Sequence, residues 1–176
     1  MGTAAQMRKI AIIGPAAAGK STLAQRLSEL LGIPVYHLDA LYWRPGWTPT
    51  PAAEWEETLR RIVDSDGWIV DGNFTATMID RLNAADTILY LDLPPLVSTF
   101  AAIRRRLTHR WNPAPGVQIG SRPMFNAQLF RWIWSFRHDH RPAFLAMLAE
   151  QPPSKRVVIL RTRRQVRRFV AGLDGD

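Results

Sequence analysis

The sequence predicts an α/β protein, a three-layer sandwich in which a five-stranded parallel sheet lies between helices. Three observations predict it. The stretch Gly14-Pro15-Ala16-Ala17-Ala18-Gly19-Lys20-Ser21 has the spacing of two glycines followed by Lys-Ser that marks a phosphate-cradling loop between a strand and a helix. Short, wholly apolar runs recur along the chain and fit strands buried on both faces. Segments with apolar residues at helical spacing separate them, as the crossovers of a parallel sheet require.

Lys9-Ile10-Ala11-Ile12-Ile13 is the first strand, and the loop follows it directly. Leu23, Leu27, Leu30 and Leu31 then mark a helix that Gly32 ends. Val35-Tyr36-His37-Leu38 is the second strand and stops at Asp39, where strand ends meet the ligand crevice of such sheets. Leu41 to Pro49 holds Tyr42, Trp43 and Trp47 among prolines and Gly46. It reads as an irregular loop whose rings either line a pocket or form a satellite core.

Thr50 is the expected cap of a helix with Pro51 first, buried through Trp55, Leu59, Ile62 and Val63. Trp68-Ile69-Val70 is the third strand, closed by Asp71-Gly72-Asn73, and a short helix from Met78 to Leu82 leads to the fourth, Thr87 to Leu91. A helix from Leu96 to about Arg110 ends in Arg104-Arg105-Arg106, and an irregular segment to Pro123 is the place for a lid. Phe125, Leu129, Trp132, Ile133 and Phe136 read as helical core, and His138-Asp139-His140 has no metal-site spacing. Arg156 to Leu160 is the fifth strand. Thr162 and Gln165 predict a capping box for a last helix through Ala171, and the Arg161-Thr162-Arg163 turn is placed to flank an adenine.

A length of 176 residues predicts one domain, 1–176, able to bury its own core. The absence of cysteine excludes disulfides, thiolate metal sites and cysteine nucleophiles, and fits a reducing cytoplasm. No apolar run is long enough for a membrane span or a signal peptide. The net charge of +8 is uneven, with 8 basic and 11 acidic side chains through residue 103 and 15 and 4 after it. That asymmetry points to a polyanionic partner, either nucleic acid or a nucleotide's phosphates.

Gly14, Pro15, Ala16, Ala17, Ala18, Gly19, Lys20, Ser21 and Thr22 are the candidate nucleotide-binding set. Inward-turned N–H groups and a helix N-terminus favour anions there, with Lys20 on the β- and γ-phosphates and Ser21 on Mg²⁺. Asp71, at a strand end, is the second candidate Mg²⁺ ligand. Asp39 is the candidate for orienting or deprotonating an acceptor hydroxyl, and Arg105 and Arg106, with Arg104 and Arg110, for neutralising charge on a transferring phosphoryl group.

Residues 13–22, His37 to Trp43 with Pro45-Gly46-Trp47, Trp68 to Asn73, and Trp132-Ile133-Trp134 together resemble the nucleoside-monophosphate-kinase-like family of phosphate-loop proteins. Within it the likeness is greatest to adenylate-kinase-related DNA topology modulation proteins (FlaR-like). The resemblance implies strand order 2-3-1-4-5, ATP with Mg²⁺, a lid at about 111–123, and γ-phosphoryl transfer to a small-molecule or nucleotide acceptor. Asn73-Phe74-Thr75 stands where adenylate kinases carry Phe-Pro-Arg, so the arginine that helps hold AMP is missing. A nucleotide-switched nucleic-acid regulator is the alternative, though no recognition motif accompanies the charge. An NTPase-like switch with water as acceptor is the third reading.

Overall fold

The computed structural model describes residues 7–46, 48–108 and 127–174, without the side chains at 105, 106, 108 and 128. The expected lid, Arg110, Trp47 and Phe125 lie outside the described residues.

Strand β1 (Lys9–Ile13) occupies the middle of the sheet, and α1 (Lys20–Leu31) returns the chain to β2 (Val35–His37). The one-turn helix α2 (Leu38–Tyr42) follows, then the two-residue strands β3 (Trp43–Arg44) and β4 (Thr48–Pro49), helix α3 (Ala52–Asp64) and β5 (Trp68–Asp71). A 3-10 turn at Thr75–Thr77 and α4 (Met78–Ala84) lead to β6 (Thr87–Leu91). Helices α5 (Pro95–Thr108), α6 (Ala127–Asp139) and α7 (Arg141–Ala149) precede β7 (Arg156–Leu160) and α8 (Arg163–Ala171). The main sheet is parallel in the order β2-β5-β1-β6-β7, which is 2-3-1-4-5 when its five strands are counted alone.

Alternation along the buried strands divides the core in two. Ala11, Ile13, Val70, Ile88 and Tyr90 face Trp55, Leu59 and Ile62 of α3, Met78 and Leu82 of α4, and Phe136, Phe144 and Leu148 of α6 and α7. Ile10, Ile12, Ile69, Leu89 and Leu91 face Leu23 and Leu27 of α1 and Val166, Phe169 and Val170 of α8. With both faces covered, the functional groups are left to the carboxyl ends of the strands.

Three local expectations change. Residues 41–49 are not wholly irregular, because β3 and β4 pair antiparallel around Gly46, which has φ +78°. Thr50 does not cap α3. Its hydroxyl donates to the Leu41 and Tyr42 carbonyls (3.2 and 2.8 Å), tying the ribbon to α2, and Pro51 takes the cap position. On α6, Ile133 and Phe136 are buried, but Trp132 stays partly exposed and stacks on His140 at 4.6 Å. The Thr162–Gln165 capping box is present as expected.

Asp92, just past β6, receives a two-point ion pair from Arg141 (2.7 and 2.8 Å), which fastens the start of α7 to the sheet. Among the described residues no helix is long and apolar enough to cross a membrane, and no group of three metal-ligating side chains is found.

Candidate active site

The phosphate loop leaves β1 through Gly14, whose φ of +143° and crowded surroundings admit only glycine. A Cβ there would stand 2.6 Å from the Leu91 carbonyl oxygen. Ala17 (φ +58°) and Gly19 (φ +95°) turn the chain left-handed twice more before α1 begins. Gly19 caps α1 without a side-chain acceptor, and no acidic residue lies in the first turn, so that turn's N–H groups face an open end suited to an anion. Lys20 folds back over the loop, its Nζ donating to the Gly14 and Pro15 carbonyls at 3.0 Å each.

Two carboxylates, Asp71 at the end of β5 and Asp39 two residues past the end of β2, converge on the same place. Asp71 is buried at the end of β5 and pairs in register with His37 of β2, whose Nδ1 is 2.9 Å from its carboxylate. Burial pushes the Asp71 pKa up. The His37 hydrogen bond, the Lys20 charge and a hydrogen bond with the Ser21 hydroxyl outweigh it, so the carboxyl is held below its ordinary value. Asp39 lies in the first turn of α2 at the mouth of the crevice, open to water on one side. Its pKa is raised, chiefly by desolvation and also by the Asp71 charge, against the opposing pull of Lys20 and His37.

Sequence reasoning missed three contributors. His37 reads in the sequence only as a strand residue, and its contact with Asp71 appears once β2 and β5 are adjacent. Asn73 pairs its carboxamide with the Gly14 peptide, accepting from the N–H at 3.1 Å and donating to the carbonyl at 3.0 Å. Arg81, wholly buried, donates to the carbonyls of Gly72 (3.1 Å), Asn73 and Phe74 (3.2 Å). Desolvation pushes its pKa down to about 10, which leaves it charged at neutral pH. The Asp-Gly-Asn triplet was the available signal for this turn.

The aromatic question resolves toward packing. Tyr42 meets Trp43, Trp55 and Phe74 with ring centroids 5.0, 5.1 and 4.9 Å away, so the rings pin α2, and Asp39 with it, against α3 and the 72–74 turn.

On the other side of the loop a cavity of about 760 Å³ opens between α1, α5 and α8. Ala18, Leu23, Leu91, Leu93 and Val170 give it an apolar floor, and Arg104, Arg163 and Arg167 stand around it. Its size and lining suit a planar base next to the phosphate loop. Arg163, from the turn that the sequence reading set beside an adenine, lines this cavity. Arg105 and Arg106 belong to α5, but their side chains lie outside the described residues.

No family model matches the chain. An adenylate kinase from Mycobacterium leprae (strain Br4923) is 35% identical over 81 residues, which is 46% of this chain and 42% of the relative. The chain thus matches less than half the length of that curated relative. Among solved structures, a shikimate kinase from Acinetobacter baumannii in complex with shikimate aligns with a TM-score of 0.59 and 16% identity over 94% of this chain and 89% of its own. A shikimate kinase from Bacteroides thetaiotaomicron aligns at 0.55 and 15% over 96% and 97%. At this identity the likeness establishes the fold, a phosphate-loop α/β sandwich of the kind these kinases share.

Proposed function

We propose that the chain is an ATP-dependent kinase transferring the γ-phosphoryl group to a hydroxyl on a small molecule or nucleotide. The observation that carries this reading is the convergence of Lys20, Ser21, Asp71 and Asp39 at the carboxyl ends of β1, β5 and β2, beside a glycine-framed anion nest. The base takes the cavity walled by Arg104 and Arg163, the triphosphate lies along the loop, and the acceptor enters on the Asp39 side. The Ser21 hydroxyl and Asp71 carboxylate are hard oxygen donors of the kind that, with phosphate oxygens, suit Mg²⁺. When bound, that ion screens the phosphate charge.

Asp39 then receives the acceptor's proton as the acceptor oxygen bonds to the γ-phosphorus and the bond to the bridging oxygen of ADP breaks. A carboxyl with a raised pKa is the better base for this step. Lys20, released from the loop carbonyls, follows the charge onto the β,γ-bridge. The chain acts in this reading as one kinase-like domain.

The test is Mg-ATP turnover across a panel of nucleosides, nucleotides and polyols, read as ADP release. A stimulating acceptor is expected, and Lys20→Ala is expected to lose at least about 100-fold in turnover while melting like the parent. ATP consumption indifferent to every addition would instead favour water as the acceptor. Equal turnover by parent and Lys20→Ala overturns the assignment.

A second reading rests on α8, which exposes Arg163, Arg164, Arg167 and Arg168. It supports a nucleotide-switched nucleic-acid regulator. Duplex retention that falls steeply with salt and changes with ATP is its test, and no retention at low salt removes it.

A further inference from the structure

Asn73 is gripped from two sides. Beneath it, Arg81 spends its hydrogen bonds on three successive carbonyls, 72 to 74, and so holds a turn in which Gly72 has φ +138° and Phe74 φ +32°. Gly72 is confined as well, since a Cβ there would come within 2.9 Å of the Leu38 side chain. At the other end the carboxamide meets both backbone polar groups of Gly14, its N–H and its carbonyl. The amide orientation is fixed by that pairing, because only one assignment satisfies both contacts.

The Gly14 carbonyl therefore accepts from two donors, Asn73 Nδ2 and Lys20 Nζ, each at 3.0 Å. Gly14 is buried. A carbonyl stripped of both donors there would carry the full cost of an unpaired buried acceptor.

We propose that Asn73 is a positioning residue that frees Lys20. Its carboxamide locks the Gly14 peptide and keeps the Gly14 carbonyl hydrogen-bonded when Lys20 swings from the loop to a bound phosphate. The swing rests on the nucleotide reading above, whereas the lock stands on this structure alone. Without Asn73, Lys20 is the carbonyl's last donor among the described residues, and every bound phosphate must take it away. The residue touches no reacting atom, and its effect passes through Lys20.

The experiment has two arms. In the first, hydrogen exchange at the Gly14 amide is followed in the ligand-free protein. Asn73→Ala is expected to speed it, and Asn73→Asp, which retains the acceptor, to leave it protected; unchanged exchange in Asn73→Ala overturns the lock. In the second, Mg-ADP is titrated calorimetrically into the parent, Asn73→Ala, Lys20→Ala and the double variant. Asn73→Ala is expected to weaken binding about tenfold, consistent with one unpaired buried acceptor. The same change on the Lys20→Ala background is expected to cost less than about twofold, because no hand-over remains to be eased. Equal losses on both backgrounds mean a merely structural residue and overturn the hand-over. Should Asn73→Ala not fold, Asn73→Ser, too short to span the peptide, replaces it in both arms. No heat from the parent removes the nucleotide reading and the hand-over with it, while the exchange arm still decides the lock.

Discussion

His37 and Asp71 sit directly opposite one another on adjacent parallel strands, with Nδ1 2.9 Å from the carboxylate oxygen and both side chains largely shielded from water. Asp71 thereby keeps its charge and its aim at Ser21 in a place where burial would neutralise it. If Asp71 holds Mg²⁺ as proposed, removing this outer partner should weaken metal binding by about 10- to 100-fold. His37→Ala is expected to raise the Mg²⁺ needed for half-maximal ATP turnover by roughly tenfold, with most of kcat restored at saturating Mg²⁺. A Mg²⁺ titration of turnover checks this.

The same pair sets an acid limit on stability. Asp71 has a folded pKa below its ordinary 3.8, so its contribution is present above the unfolded value and is lost as pH falls through the lower folded one. With His37 gone, burial is less opposed and the folded value rises. His37→Ala is expected to begin acid unfolding at higher pH than the parent, as followed by circular dichroism.

Asp39 runs the other way. Its raised pKa means that the proton-accepting form is lost on acidification at a pH above the ordinary 3.8. The acid limb of the pH–rate profile is expected above that value and to be missing from the residual activity of Asp39→Asn, whose kcat should fall about 100-fold or more. An identical limb in both proteins assigns the base elsewhere.

Two glycines of the loop differ in what a methyl group would meet. Gly14→Ala forces a Cβ against the Leu91 carbonyl, whereas at Gly19 no atom lies within 4 Å and only the backbone angle is unfavourable. Denaturant unfolding is expected to show a loss of about 3 kcal/mol or more for Gly14→Ala, against about 1 kcal/mol for Gly19→Ala.

The cavity between α1, α5 and α8 offers a separable test of the base site. Ala101 lines it, and Ala101→Trp would set an indole ring into the cavity from α5. KM for ATP is expected to rise about tenfold or more, while inhibition by inorganic triphosphate, which has no base, stays unchanged. A parallel loss of both means that the cavity is not where the base binds.

The layers and the phosphate loop were legible because both are written locally, in runs of Ile, Val and Leu and in a fixed glycine spacing. Asp71 was legible as a strand end, whereas Asp39, expected where the second strand stops, lies in the first turn of α2 because the chain turns helical already at Leu38. What escaped were pairings between distant segments. Thr50 looks like a helix cap from its neighbours alone, yet its hydroxyl is taken by carbonyls of α2. His37, Asn73 and Arg81 carry no local mark of their partners, and the Asp92–Arg141 pair joins residues 49 positions apart. Tyr42, Trp43, Trp55 and Phe74 gave composition but not arrangement, and only their ring contacts show that they brace α2.

The central place of β1 also governs how the chain reaches its fold during synthesis. Ile10 is among the first described residues to leave the ribosome, but its neighbours are Ile69 on one side and Thr87 on the other. Until both have been translated, a strand of nearly pure hydrocarbon has no place in a sheet, and such exposed strands are where nascent chains aggregate. Slowing translation between residues 13 and 87, or withholding chaperones, is therefore expected to deplete soluble protein without altering the melting temperature of the molecules that succeed.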